Sequence, residues 1–279
     1  MRLTLEMNQV HNHFKQIYGA DQKFKIGTSG YSYQDWKGSF YPEKLAKGDM
    51  LNYYAQYFDT VEINSTYYGI PQPAVFFHMA EKTPDDFEFI VKTNQETTHK
   101  RIKNETAITQ LKESVQPLVE ADKFSGFLAQ FPYSFKNTPQ NREYLQKTKE
   151  FAGEHPLFVE FRNWTWNQET IIDFLKENEI GYVNVDQPKL RGLIPPQDFL
   201  TTQRGYLRFH GRNEKDWWEG TNVTRYDYLY SKEELNEWML RIAHLLKRSF
   251  KSYIFFNNHP QGQAVKNAFM LKELLEKTL

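Results

Sequence analysis

TVEINSTYYGIP, residues 60–71, is the stretch that decides how this chain folds. Val61 and Ile63 give it the β-branched character of a buried strand, yet Glu62 lies between them. A carboxylate buried in a strand requires a partner, because charge removed from water without compensation is costly. If TVEIN (60–64) is one strand of a sheet covered on both faces, similar short apolar runs must recur along the chain.

They do. FKIGTS (24–29), FEFIVK (87–92), GFLAQF (126–131), LFVEF (157–161), GYVNVD (181–186), GYLRFH (205–210) and SYIFFN (252–257) bring the number of strand-like runs to eight. Their length and their β-branched or aromatic content suit strands buried on both faces. Helical patterns fall between most of them. Asp49 is placed to cap a helix through Phe58, and Pro73 to Lys82 gives a weaker helical pattern. Asn104 to Val119 carries Ile108, Leu111, Val115 and Leu118 at helical spacing. Thr138 followed by Pro139 opens a helix through Phe151. Asn167 is placed to cap a helix containing Ile171, Phe174 and Leu175. Ser231 and Glu234 have capping-box spacing ahead of Leu235, Trp238, Ile242 and Leu245. Residues 262–277 form the last helix, and Gln187 to Arg204 is proline-bearing with no helical pattern.

Eight strands alternating with helices predict an α/β fold, a single TIM-like (β/α)8 parallel barrel over residues 24–279, with residues 1–23 as an N-terminal extension. A doubly wound open sheet is the competitor. It calls for a glycine fingerprint after the first strand, and GTSGYSY (27–33) lacks that spacing.

Composition narrows the chemistry. No cysteine among 279 residues excludes disulfides, thiol catalysis and cysteine-bound metal. Thirty-five basic residues balance thirty-five acidic ones, so no global field favours nucleic acid or membrane. There is neither a signal-peptide-like start nor an apolar run long enough to span a bilayer, and a cytoplasmic protein is expected. The sequence sets no oligomeric state.

In barrel enzymes the chemistry sits at the C-terminal strand ends, and here those ends are polar. Glu62, Lys92, Glu160, Asp186 and His210 are the candidate catalytic residues. Ser29, Tyr31, Trp36, Asn64, His99, Gln130, Arg162, Arg208, Asn257 and Asn258 are candidate substrate-binding residues. Glu62 and Lys92, on neighbouring strands, form either a proton-transfer pair or a buried salt bridge. Glu160, Asp186 and His210 could hold a divalent metal; metal-free acid–base chemistry is the alternative. Beyond that metal the sequence leaves the cofactor unknown. Arg162, Arg208, Arg212 and Lys92 would make a positive pocket for an anionic ligand. Tyr31, Trp36, Tyr67, Tyr68, Trp164, Trp217 and Trp218 offer rings to stack on a sugar or base, or to pack loops onto the barrel. The polar-aromatic segment Gly211 to Tyr230 reads as a mobile lid.

Six blocks in order, GTSGYSYQDWKGSFYP, YFDTVEINSTYYGIP, VKTNQETTH, LAQFP, LRFHG and FNNHPQGQAVKNA, resemble the YecE-like family of uncharacterised proteins, a domain of unknown function, DUF72. The resemblance runs from about Lys25 to the C-terminus. It implies a single TIM-like barrel and picks out Gly27, Gly30 and Tyr41 along with most of the candidates above. The family is likened to sugar isomerases on fold alone, and no established reaction comes with it. This chain departs from the family pattern in three places. Asn163 stands where histidine is frequent, His259 where aspartate is frequent, and Tyr31 where tryptophan is common.

The leading expectation is an enzyme, an isomerase or hydrolase acting at the barrel mouth on a small polar, anionic substrate such as a sugar phosphate or nucleotide. The alternatives are a nucleic-acid or nucleotide-binding protein and a non-catalytic scaffold.

Overall fold

The β-branched and aromatic runs pair side by side, all parallel, in a computed structural model that describes residues 24–278. The extension expected over residues 1–23 lies outside the described residues. The strands are β1 (Phe24–Thr28), β2 (Thr60–Ile63), β3 (Glu88–Lys92), β4 (Phe124–Gln130), β5 (Leu157–Glu160), β6 (Ile180–Asp186), β7 (Arg204–Phe209) and β8 (Lys251–Phe256). From β2 to β8 each strand pairs with the next in sequence, and β1 pairs with β8. Only the β1–β2 seam is thin. There Ser29 bridges Glu62, and the Gly30 N–H donates to the Glu62 carbonyl at 2.7 Å. Gly27 permits that approach, since a Cβ in its place would meet the Thr60 carbonyl oxygen at 2.3 Å. The result is a nearly closed TIM-like barrel, as the strand count predicts.

Helices alternate with the strands: α1 (Met50–Tyr54), α2 (Pro73–Glu81), α3 (Asn104–Glu120), α4 (Pro139–Ala152), α5 (Glu169–Glu177), α6 (Lys232–Asn236), α7 (Met239–Arg248) and α8 (Gln263–Thr278). Two start signals work as expected. The Thr138 side chain accepts from the Asn141 N–H with Pro139 in the first turn, and Ser231 with Glu234 forms a complete capping box. Two others do not. Asp49 makes no side-chain cap, and α1 stops at Tyr54, short of Phe58. Asn167 is displaced by Gln168 as the residue preceding α5. The segment from Gln187 to Gln203 contains no helix.

Apolar side chains between strands and helices form the outer core. Inside the barrel, alternate strand residues stack in layers. At the bottom, Glu88 accepts from Lys25 (3.0 Å), Lys251 (2.6 Å), Tyr253 (2.5 Å) and Ser125 (2.7 Å). Burial works to raise its pKa, but Lys25, Lys251 and the hydroxyls overcome that and bring it to about 2. A second, apolar layer follows, with Ile90, Leu128, Phe158, Val183 and Phe255 among its members. Charge returns above it, at the mouth.

Candidate active site at the barrel mouth

Two-residue alternation aims Glu62 on β2, Glu160 on β5 and Arg208 on β7 at the barrel axis, one layer above the apolar plug. All three are buried. Arg208 Nη2 donates to Glu62 Oε1 at 2.6 Å, and Arg208 Nη1 donates to Glu160 Oε2. The Tyr206 hydroxyl takes the other Glu62 oxygen at 2.5 Å. Arg162 Nη2 lies 2.8 Å from Glu160 Oε1. Burial works to raise the Glu160 pKa, but Arg162, Arg208 and His210 hold it well below the usual carboxylate range. Desolvation works against the Arg208 charge, but the two carboxylates prevail and raise its pKa.

His210, just past β7, is fixed from both sides. Asn257 Nδ2 is 3.0 Å from its Nδ1, so Nδ1 accepts. Its Nε2 therefore carries the proton and donates to Glu160 Oε1 at 3.1 Å. Burial, with Arg162 adding to it, lowers its pKa to about 3. The imidazole is neutral with both nitrogens engaged. It positions Glu160 and Asn257 rather than exchanging protons.

Above this layer opens a cavity of about 640 Å³. Lys92, Arg162, Arg208 and Arg225 are the charged groups in its described lining; no carboxylate joins them. The Glu62–Lys92 pair expected from the sequence does not form. Arg208 and Tyr206 occupy Glu62, and Lys92 Nζ instead donates to the Gln130 side-chain oxygen at 3.0 Å. Gln130 is held in that orientation because its amide donates to the Phe131 carbonyl at 3.0 Å. The Lys92 ammonium lies 4.9 Å from the centre of the Tyr67 ring. Burial and then Arg208 push its pKa down to about 8, against the pull of Glu160 and Glu62.

His99 enters the cavity from a π-helical turn, Glu96–Lys100, that ends on Arg101 at φ 58°. Such single turns often mark functional positions. Burial, then Lys92 and Arg162, lower the His99 pKa to about 4. Asn64, Gln130, Arg162 and Asn257 line the cavity as expected. The buried Oδ1 of Asn64 has no hydrogen-bond partner.

Other candidates are placed elsewhere. Asp186 is on the outward face of β6. It accepts from the Tyr230 hydroxyl (2.5 Å), Trp238 Nε1 (2.6 Å) and Arg212 (2.8 Å), tying the barrel to α7 and to the segment after β7. That removes both Asp186 and Arg212 from the cavity. It also leaves Glu160 and His210 without the third ligand of the expected metal set, and the described residues contain no cluster of three such groups that could hold a metal. The two residues left are already committed to each other and to guanidinium groups, so the donor set does not fit a metal ion. Ser29 is beneath the cavity, 3.3 Å from Arg208 Nη2. Trp36 is buried and donates to the His259 carbonyl at 2.7 Å. Tyr31 packs on Tyr54, with ring centres 6.3 Å apart. Asn258 donates to Tyr228 and Asn267. Trp164 is exposed and outside the lining.

Several lining residues are absent from the expected set. Tyr33 takes the place foreseen for Tyr31 and stacks on His259, with centres 4.6 Å apart. The segment 211–230 contributes Trp217 and Trp218, two of the rings offered for stacking, and also Asn222, Arg225 and Tyr226, which were not foreseen. The sequence marked it as a polar-aromatic segment, but nothing in its composition said that Asn222, Arg225 and Tyr226 face inward. Trp217 lies over the Arg162 guanidinium, 5.3 Å from its ring centre. Tyr206 could have been found, because it alternates with Arg208 and His210 along β7.

A parallel barrel of eight strands with a polar cavity over their C-terminal ends is the TIM-like α/β architecture. Within it, the chain belongs to the family described as Protein of unknown function DUF72, which matches residues 25–279. It is 31% identical over 268 residues to the UPF0759 protein YunF of Bacillus subtilis (strain 168), covering 90% of this chain and 94% of YunF. It is 23% identical over 254 residues to the UPF0759 protein YecE of Escherichia coli (strain K12), covering 82% of this chain and 86% of YecE. Among solved structures, a DUF72 family protein from Thermotoga maritima MSB8 superposes with a TM-score of 0.84 at 42% identity, covering 91% of this chain and 99% of that one. A second, from Enterococcus faecalis V583, gives 0.81 at 27% identity, covering 91% and 95%. The YecE-like resemblance and the barrel are thereby established. None of these descriptions states a reaction. Among the described residues, no helix is long and apolar enough to cross a membrane.

Proposed function

We propose that the chain is an enzyme that binds a small anionic substrate in the mouth cavity and moves protons there through Lys92. The observation that carries this reading is the charge asymmetry of the cavity. Its lining presents two guanidinium groups and one ammonium around Arg208, while the acidic groups of the layer, Glu62 and Glu160, are buried beneath and already neutralised by Arg208 and Arg162. Lys92 and Arg225 are the positive surplus. A volume of about 640 Å³ suits a molecule the size of a sugar phosphate or a 2-oxo acid. Tyr67, Trp217 and Tyr226 supply apolar faces beside the charges.

Lys92 has the pKa of a group that works near neutrality, since about 8 lets it both donate and accept a proton. His210 and His99 remain neutral there, and His210 has no free nitrogen. An overall charge balance of zero speaks against a nucleic-acid surface.

A melting-temperature screen tests this, because a ligand that binds only the folded state raises the midpoint. Sugar phosphates and 2-oxo acids should stabilise the protein, their uncharged counterparts should not, and Lys92→Met with Arg225→Ala should abolish the shift. Equal stabilisation by neutral ligands, or a shift indifferent to both substitutions, would overturn the reading.

A further inference from the structure

Lys92 stands apart from three other lysines that are buried or partly buried in this barrel. Lys25 and Lys251 are bound to Glu88, and Lys123 donates to the carbonyls of Ala80 and Thr83 at the end of α2. These are structural ammonium groups, satisfied by carboxylate or by several backbone oxygens. Lys92 differs in each respect. It is the lysine in the described cavity lining, and its partner is one neutral amide oxygen. That contact costs the neutral amine little, because an amide oxygen accepts from –NH2 as well as from –NH3⁺.

We infer that Lys92 is a carbonyl-reactive amine, which forms an imine with an anionic aldehyde or ketone held in the cavity. This deepens the function proposed above and rests on that reading. The nitrogen lone pair attacks the carbonyl carbon, and a C–N bond forms as the C=O π pair moves onto oxygen. One amine proton passes to that oxygen. A second leaves with it as water, so that R–NH2 and O=C become R–N=C and H2O. No oxidant, reductant or metal enters the balance.

Three features favour this step over simple charge binding. Burial, and then Arg208 and Arg162 in the same cavity, disfavour the Lys92 ammonium against the pull of Glu160 and Glu62, which shifts Lys92 toward the nucleophilic form. With a pKa of about 8, roughly one molecule in ten carries the neutral amine at pH 7. Arg225, the guanidinium of the described lining with no carboxylate to neutralise, attracts a carboxylate or phosphate, which would bring the carbonyl of a short substrate to the amine. Gln130, locked by its own bond to Phe131, fixes where the nitrogen sits. The substrate class is therefore a small carbonyl compound with an acidic group near the carbonyl, such as a 2-oxo acid or an open-chain sugar phosphate.

Reductive trapping tests it. The protein is incubated with glyoxylate, pyruvate or dihydroxyacetone phosphate and cyanoborohydride, and the modified peptide is located by mass spectrometry. Inorganic phosphate binding is measured separately by calorimetry on the same preparations. The expected result is an adduct concentrated at Lys92, absent from Lys92→Arg, with acetaldehyde labelling Lys92 no better than surface lysines. Lys92→Arg keeps the positive charge and should still bind phosphate. If wild type binds phosphate but labels only surface lysines, the imine is refuted and the anion site stands. If wild type binds neither phosphate nor any of the probes, both readings fall.

Discussion

Arg208 crosses the barrel axis from β7 to meet Glu62 on β2, Nη2 to Oε1 at 2.6 Å, with both side chains at most 2% exposed. The same guanidinium holds Glu160 on β5, so one cation ties three strands together at the level where the cavity begins. The layer has two jobs. It closes the barrel beneath the site, and it neutralises the acids so that the cavity above keeps a positive surplus. Glu62 answers the question posed by a carboxylate inside a strand: its partner is across the barrel, not on the neighbouring strand.

Removing the guanidinium strands two buried carboxylates. Arg208→Met should lower stability by about 3–5 kcal/mol, the usual cost of breaking a buried ion pair from one side. Neutralising the acids as well, in Glu62→Gln/Glu160→Gln/Arg208→Met, should restore a large part of that loss. Urea unfolding of the two variants against wild type measures both. The restored variant should remain folded and still bind phosphate, because Lys92 and Arg225, the positive surplus of the cavity, are untouched.

Gly211 sets the course of the segment that follows β7. It sits at φ 90°, and a Cβ there would approach Tyr228 Cβ to 2.7 Å. Gly211→Ala must therefore re-route the segment that delivers Trp217 and Arg225 to the cavity. Phosphate affinity should fall at least about tenfold, or about 1.4 kcal/mol. Calorimetric titration of the variant checks this, and far-UV circular dichroism should show the barrel unchanged.

The barrel was legible because its signal is repeated. Eight runs of the right length, each buried on both faces, survive a wrong boundary or a missed cap such as Asp49 or Asn167. The site was legible only in part, because a strand end does not say which way a side chain faces. Lys92, Gln130, Arg162 and Asn257 were placed by position alone and do reach the cavity. Asp186 looked equivalent to them. It falls on the other face of β6, where Trp238 and Tyr230 are aromatic partners too distant in sequence to anticipate. Counting by twos along β7 would have paired Tyr206 with Arg208 and His210. Which members of segment 211–230 fold inward depends on the loop's own turns, and no periodicity encodes those.

Asp186 gives a clean separation of structure from site. It is buried and bound to Arg212, Tyr230 and Trp238, away from the cavity. Asp186→Asn should destabilise the protein by about 3 kcal/mol through loss of a buried, hydrogen-bonded charge. Phosphate affinity, measured below the melting transition, should stay within about twofold of wild type, as expected for independent sites. A thermal melt and a calorimetric titration of one preparation read both quantities.

His210 makes stability depend on pH with a definite sign. Its folded pKa is about 3 against an ordinary 6.5, so below pH 6.5 the unfolded chain takes up a proton that the folded protein refuses. Stability is thus fully present above about pH 6.5 and declines on acidification toward pH 3, by about 1.4 kcal/mol per pH unit for one such proton. His99, at about 4, adds to the same slope with a smaller weight because it is only half-buried. Glu160 and Glu88 also lose stabilising charge in acid, but only below the ordinary glutamate value of 4.5. Between about pH 5 and 6.5 the histidines therefore act alone among these four groups. Urea unfolding across that interval should show ΔG rising with pH in the wild type. In His210→Gln, which has no imidazole to titrate, the slope should fall by one proton's worth while the contribution of His99 persists.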